Sequence, residues 1–434
     1  MFRTLTLTAL LLVAACNGGP SAPDDSLDAI ARDYVKLSLT IGEKEEGYID
    51  AFYGPPELQT AAKAEAPKAS LEALAAQVDA LKKRTTAFTN DGADLDVRRA
   101  KFLEAQLTAA ATRLRMMRGE KLSFEDEAQG LFGVRPQVQP LASFDPVIAK
   151  IAALVPGTGP LPNRIDAFSN RFNIPKDRLK PVFDAAIAEC RRRTLQHIKL
   201  PSGERFDMAF VTGKSWSGYN YYQGNAHSKI EINTDLPIRI SRAVDLGCHE
   251  GYPGHHVLNV LLEERLTKRK GWTEFSVYPL YSPQSLLAEG SANYGIKLAF
   301  PGDEQLEFEK RVLYPLAGLP VAEAANYFKL QEALEALAGV RFTVAKLLLE
   351  GKVNEAQAAQ LLTKYQLLTP ERAKKSIDFT KQYRSYVINY GLGQDMVQAD
   401  IEAVGADAGV RWKRMELLLS EPTLPSDLRL GGVR

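Results

Sequence analysis

Eight residues, His249-Glu250-Gly251-Tyr252-Pro253-Gly254-His255-His256, hold three of the chain's 5 histidines. Imidazoles beside a carboxylate are what a zinc hydrolase needs: nitrogen ligands for the metal and a base for water. The spacing limits how the backbone can run. Six residues separate His249 from His255, about 240° around a regular helix, so an unbroken helix points them apart. Seven residues bring His256 back to the face of His249, but ~10.5 Å further along the axis. Zinc–nitrogen bonds of ~2.0–2.1 Å cannot bridge that gap. The intervening residues offer a way out. Pro253 lacks an N–H and disfavours helical geometry at Tyr252, while Gly251 and Gly254 permit unusual dihedrals. We therefore expect a broken or bulged helix that returns a second imidazole to His249; geometry alone does not choose between His255 and His256. Glu289, in Ala288-Glu289-Gly290, is a further suitable ligand downstream.

The rest of the chain reads as scaffold and address. Its 434 residues are 45% hydrophobic and 25% charged with a net charge of +1, a globular composition long enough for a large core. Near-neutral charge argues against nucleic acid as a partner. Three cysteines, Cys16, Cys190 and Cys248, are too few for a disulfide framework. Arg3 and an apolar run from about Leu5 to Ala15 fit a cleaved export signal, being too short for the ~20 residues of a bilayer span. The ending Val13-Ala14-Ala15-Cys16 resembles a bacterial lipobox, which implies that Cys16 is acylated and anchors the mature chain to a membrane. An ordinary signal peptide with a chance cysteine is the alternative. Asn17 to Ser26 reads as a flexible tether, and the lack of Asp after Cys16 favours the outer membrane. The body, 27–434, reads as one domain with a helical lobe (27–200) and a lobe carrying the histidines (201–434).

Helical periodicity predominates. It marks Leu27 to Leu39, Leu71 to Leu81, Leu95 to Met117, Lys180 to Gln196 and one long stretch from Ser376 to Ala403. Arg205 to Thr212 and Ser228 to Asn233 alternate like strands, flanking an aromatic, glycine-rich segment from Ser215 to His227. A mainly α fold with a small sheet follows. Cys248 reads as a small buried hydrophobe, although a Cys190–Cys248 bond is conceivable in an oxidising compartment. His197 reads as a surface imidazole.

His249-Glu250-x-x-Pro253-Gly254-His255-His256 resembles the signature of a bacterial family of unknown function (domain of unknown function 885) grouped with gluzincin-like metallopeptidases. Glu289, Gly290, Ala292 and Tyr294 match its downstream motif; Ser291, Asn293 and Ile296 depart. The likeness runs from about Asp28 to beyond Gln394. It implies a multi-helical, two-lobed zincin-like fold related to oligopeptidases and thermostable carboxypeptidases, and favours His255 over His256 as ligand. Tyr383 to Gly393 also resembles a family segment. From it Tyr390, beside Tyr386, is a candidate to steady an oxyanion and Arg384 to hold a substrate carboxylate; His227 is a weaker oxyanion candidate. Asp245 and Asn293, one turn from His249 and Glu289, are candidates to orient the ligands.

The expectation is a surface-tethered zinc hydrolase, foremost a peptidase, with His249, His255 and Glu289 on one zinc ion, or another divalent metal, and Glu250 as general base. A peptide or amide substrate would lie along the Ser228 to Asn233 edge. Two alternatives remain: a non-catalytic binding lipoprotein, and an amidohydrolase or esterase with a non-peptide substrate.

Overall fold

The structure, a computed structural model, describes residues 25–89 and 94–429. Cys16, the apolar run before it and the tether as far as Asp24 lie outside them. The fold is mainly helical, and local sequence explains where helices start. Ser26 caps Leu27–Gly42 by accepting from the amide of Ala29 at 3.2 Å. Asp94 caps Leu95–Met117 by accepting from Asp96 and Val97. The helix Pro283–Ala299 is apolar or small almost all round, and most of its residues are buried. Such a helix belongs at the centre of a fold.

That central helix packs against Ile388–Glu402 through paired glycines. A Cβ on Gly290 would meet the carbonyl oxygen of Gly393 at 2.3 Å, so only glycine allows the approach. The expected single helix from Ser376 to Ala403 is in fact two. Pro370–Tyr383 ends where Arg384 takes φ +55°, a short turn Arg384–Val387 follows, and Ile388–Glu402 sets off anew. Periodicity does not register such a break because apolar residues continue through it.

Two small sheets complete the architecture. Strands β1 (Ile49–Phe52) and β5 (Val277–Pro279) pair antiparallel. Strands β2 (Arg205–Val211), β3 (Gly218–Tyr222) and β4 (His227–Asn233) form the other sheet in the order β2-β4-β3. The Ser228 to Asn233 stretch is therefore the middle strand, parallel to β2 and antiparallel to β3, and it has no free edge. This corrects the expected docking edge. The outer strands, β2 and β3, each have an open side, and β3 lies inside the aromatic segment.

Two hydrophobic clusters hold the helices together, and each draws residues from both sides of position 200. The larger runs from Ile30 to Leu428. The smaller joins Phe144, Ile151 and Ile165 to Leu330, Val344, Leu362 and Ile377. Cys190 and Cys248 form a disulfide with Cα atoms 5.6 Å apart, tying helix Leu179–Leu195 to the turn carrying His249. Cys248 is thus buried but covalently paired. No helix among the described residues is long and apolar enough to cross a membrane.

Candidate metal centre

The backbone solves the histidine spacing with a wide turn. Helix Ser241–Leu246 passes into a π-helical turn, Gly247–Gly251, which places His249 and Glu250. Tyr252 is extended, the Tyr252–Pro253 bond is cis, and a new helix begins at His255. Gly254 donates its amide to the carbonyl of Cys248 at 3.1 Å. It sits so close that a Cβ there would lie 1.8 Å from the carbonyl oxygen of His249. A Cβ on Gly295 of the central helix would meet Pro253 at 2.7 Å, so that helix presses on the turn.

The turn brings the two imidazoles together and the central helix adds the carboxylate. His249 Nε2 lies 3.1 Å from His255 Nε2 and 3.2 Å from Glu289 Oε2; His255 Nε2 lies 3.8 Å from the same oxygen. Zinc bonds of ~2.0–2.1 Å at tetrahedral angles separate ligand atoms by ~3.3 Å, so the three atoms fit one small cation. Among the described residues, Glu289 Oε2 is buried without a hydrogen-bond partner, an omission that a cation would repair. These are the only three His, Cys, Asp or Glu side chains among the described residues that converge in this way.

Neighbours fix the orientation of these side chains. His249 Nδ1 meets Asn293 Oδ1 at 2.9 Å, and Asn293 donates its amide to the carbonyl of Tyr390 at 2.9 Å. Tyr386 donates its hydroxyl to Glu289 Oε1 at 2.7 Å. Burial alone would drive the His249 pKa down, but the Glu289 and Glu250 carboxylates outweigh it and raise it. His255 is pushed down to about 4 by burial and by His249. Burial pushes Glu289 up, yet His249, His255 and Tyr386 hold its carboxyl below the usual range.

Glu250 lies 4% exposed beside this cluster, and neither carboxylate oxygen has a hydrogen-bond partner among the described residues. Burial pushes it up to about 7 against the pull of His249, with Glu289 and Asp50 adding to the rise. Strand β3 runs so close that a Cβ on Gly218 would come within 2.8 Å of Glu250 Oε1. Asn220 on the same strand donates to the backbone carbonyl of Glu250 at 2.7 Å.

All of these groups open into a cleft of about 760 Å³ whose walls include Tyr219 of β3, Tyr278 of β5, Arg341 and Tyr390. Tyr390 hydroxyl has no hydrogen-bond partner among the described residues, and burial and Glu289 raise its pKa well above the usual range.

Other candidates lie elsewhere. His256 is fully buried and both ring nitrogens are engaged: Nδ1 with Ser228 Oγ at 2.8 Å, Nε2 with Glu204 Oε2 at 3.0 Å. It faces away from the cluster and holds the turn to the sheet. Asp245 pairs with Arg242, not with His249. Arg384 binds Glu127 at 2.7 Å and is not in the cleft wall, so its charge is already matched. His227 pairs with Asp207 at 2.9 Å on the outer part of the sheet, likewise outside the cleft. His197, exposed as expected, stacks on Trp412 at 4.8 Å. Asp50 and Arg341 were not legible as cleft residues, because nothing near them in sequence distinguishes them, whereas Tyr219 belongs to the aromatic segment already noted. Asp50 accepts from the Tyr219 hydroxyl, and burial pushes its carboxyl up to about 7.

No family model matches the chain, and no curated protein does either. Its fold is similar to that of a solved structure, and further solved structures superpose less well. A candidate lipoprotein from Colwellia psychrerythraea superposes with a TM-score of 0.51 at 14% identity, covering 92% of this chain and 74% of that one. A candidate lipoprotein of unknown function from Shewanella oneidensis gives 0.48 at 13% identity, over 95% and 78% of the two chains. The M32 carboxypeptidase from Deinococcus radiodurans R1 gives 0.40 at 10% identity, over 93% and 91%.

Proposed function

We propose that the chain is a zinc-dependent hydrolase that cleaves peptide bonds. The observation that carries this reading is the pairing of a ready metal pocket, His249, His255 and Glu289, with an adjacent buried carboxylate that has no hydrogen-bond partner among the described residues. A purely structural metal site has no use for such a base. Zinc, when bound, supplies Lewis acidity that polarises a carbonyl and acidifies water.

The chain's own groups supply the rest. Glu250 takes a proton from the attacking water as the oxygen adds to the carbonyl carbon. Tyr390 donates its free hydroxyl to the developing oxyanion. Glu250 then gives the proton to the leaving nitrogen as the C–N bond breaks, yielding a carboxylic acid and an amine. Its elevated pKa, about 7, suits both halves of that exchange. Strand β3, open on one side and lining the cleft, would pair with an extended substrate.

In the cell the protein would be tethered through acylated Cys16 to the envelope, at the outer membrane. Support comes from the lipobox-like ending and the Cys190–Cys248 bond, which needs an oxidising compartment. The lipoprotein description of the Colwellia protein agrees with it. Labelling cells with a palmitate analogue tests the anchor: Cys16→Ser should lose the label, and a labelled variant would refute it.

The chemistry is tested by metal analysis and peptide hydrolysis together. Glu250→Gln should keep its zinc and lose activity on a peptide library by at least ~100-fold. His249→Ala and Glu289→Ala should lose the metal. Full metal content in both ligand variants would overturn the site, and an active Glu250→Gln would remove that residue from the mechanism.

A further inference from the structure

Four guanidinium groups line the cleft, and three of them are matched. Arg113 pairs with Glu45, Arg242 with Asp245, and Arg372 with Asp166 at 3.6 Å. Arg341, on helix Ala338–Leu349, has no carboxylate partner among the described residues, and its Nε is buried without any hydrogen bond. Its Cζ lies 4.6 Å from the ring centre of Phe379 and 5.9 Å from that of Tyr390. The rings bear on its charge, but they offer no acceptor in the guanidinium plane. Lys214 and Lys375 in the same cleft are exposed, where an unmatched charge costs little. Arg341 is not exposed in that way, and burial lowers its pKa, a cost that a bound anion would relieve.

Its position relates it to the metal pocket. Arg341 touches Tyr390, the Tyr390 ring lies 5.9 Å from that of Tyr386, and Tyr386 bonds Glu289. Two aromatic rings thus link the guanidinium to the ligand Glu289. The two 5.9 Å steps bound the distance from the guanidinium to the Tyr386 ring, and an extended chain at ~3.3–3.6 Å per residue crosses them in at most about four residues.

We propose that Arg341 binds the free terminal carboxylate of the substrate, so that the cleft takes short peptides cut near their carboxyl end. This rests on the hydrolase reading for the cut, though not for the binding. A guanidinium offers a carboxylate two parallel N–H donors, a geometry that a terminal carboxamide cannot match in charge.

The zinc-loaded Glu250→Gln full-length protein is titrated calorimetrically with three N-acetylated tetrapeptides. One ends in a free leucine, one in leucinamide and one in glutamic acid amide. The free acid should bind roughly 10- to 100-fold tighter than either amide. Adding Arg341→Gln should erase that preference, and Arg341→Lys should restore part of it. Arg341→Lys also covers the case in which the glutamine variant fails to fold. Equal binding of all three peptides, or no binding of the free acid, overturns the proposal. So does an unchanged preference in the Arg341 variants. Tight binding of the glutamate amide would transfer the site to acidic side chains and overturn the terminal assignment. Hydrolysis by the wild type separates the two readings. Equal kcat/KM on acid and amide would sink the role of Arg341 and leave the peptidase standing. A binding preference without any cleavage would do the reverse.

Discussion

Two parts of the centre meet through Asn293: His249 Nδ1 on one side and the Tyr390 carbonyl on the other. A ligand imidazole held at its far nitrogen keeps its ring plane and its tautomer. Asn293→Ala should therefore weaken zinc about 10- to 100-fold while leaving the fold intact, measured by competition with a chelator. An unchanged affinity would make the contact incidental. His256 shows how the same residue type serves a different end nearby. Burial pushes the Glu204 carboxyl up, but His256, Tyr252 and Arg191 outweigh it and bring it down to about 2 from 4.5. The folded carboxylate thus resists protonation more than the unfolded one. Its contribution is complete above pH ~4.5 and is lost as pH falls towards 2, an effect of about 3 kcal/mol. Thermal unfolding followed between those pH values should steepen for the wild type and flatten for Glu204→Gln. At this scale the sequence is informative where spacing constrains, as at His249, Glu250 and His255. It is silent where a partner is remote. Arg384 looked like a substrate anchor, but its carboxylate, Glu127, lies 257 residues away in the chain. Arg341 went unnoticed for the converse reason, since a missing partner leaves no trace in sequence.

Among the elements, the wide turn at Gly247–Gly251 decides the most. Glycine and proline between the histidines announced a break, because no regular helix satisfies that spacing; they did not announce its form. Sheet order was harder to see. Alternation marks Ser228–Asn233 as a strand without telling whether it lies at an edge, which depends on where β2 and β3 dock. The crossing of Pro283–Ala299 with Ile388–Glu402 explains why Glu289 and Tyr386 meet, and it depends on a backbone contact between Gly290 and Gly393. Gly290→Ala should cost about 1–3 kcal/mol by overpacking. It should also lower zinc affinity, because it displaces the neighbouring Glu289. Denaturant titration and metal competition on one variant check both; a variant unaffected in either would mean that the crossing yields easily.

For the whole molecule, composition and periodicity sufficed to foresee a mainly helical body, while the two interleaved cores were out of reach. The Cys190–Cys248 bond closes a separation of 58 residues and should add roughly 2–4 kcal/mol by restricting the unfolded chain. Reduction with dithiothreitol, or Cys190→Ala with Cys248→Ala, should lower the thermal midpoint; an identical midpoint in both redox states would argue that the bond is ornamental. Cysteine counting could not establish this pair, because two residues in a long chain carry no pattern.

That covalent strap stands one residue from His249, which has a practical corollary for anyone making the protein. Material purified from the cytosol of an expression host, where thiols stay reduced, and material secreted into an oxidising space would be chemically different substances. Their metal content and stability should be compared only after the sulfurs have been counted.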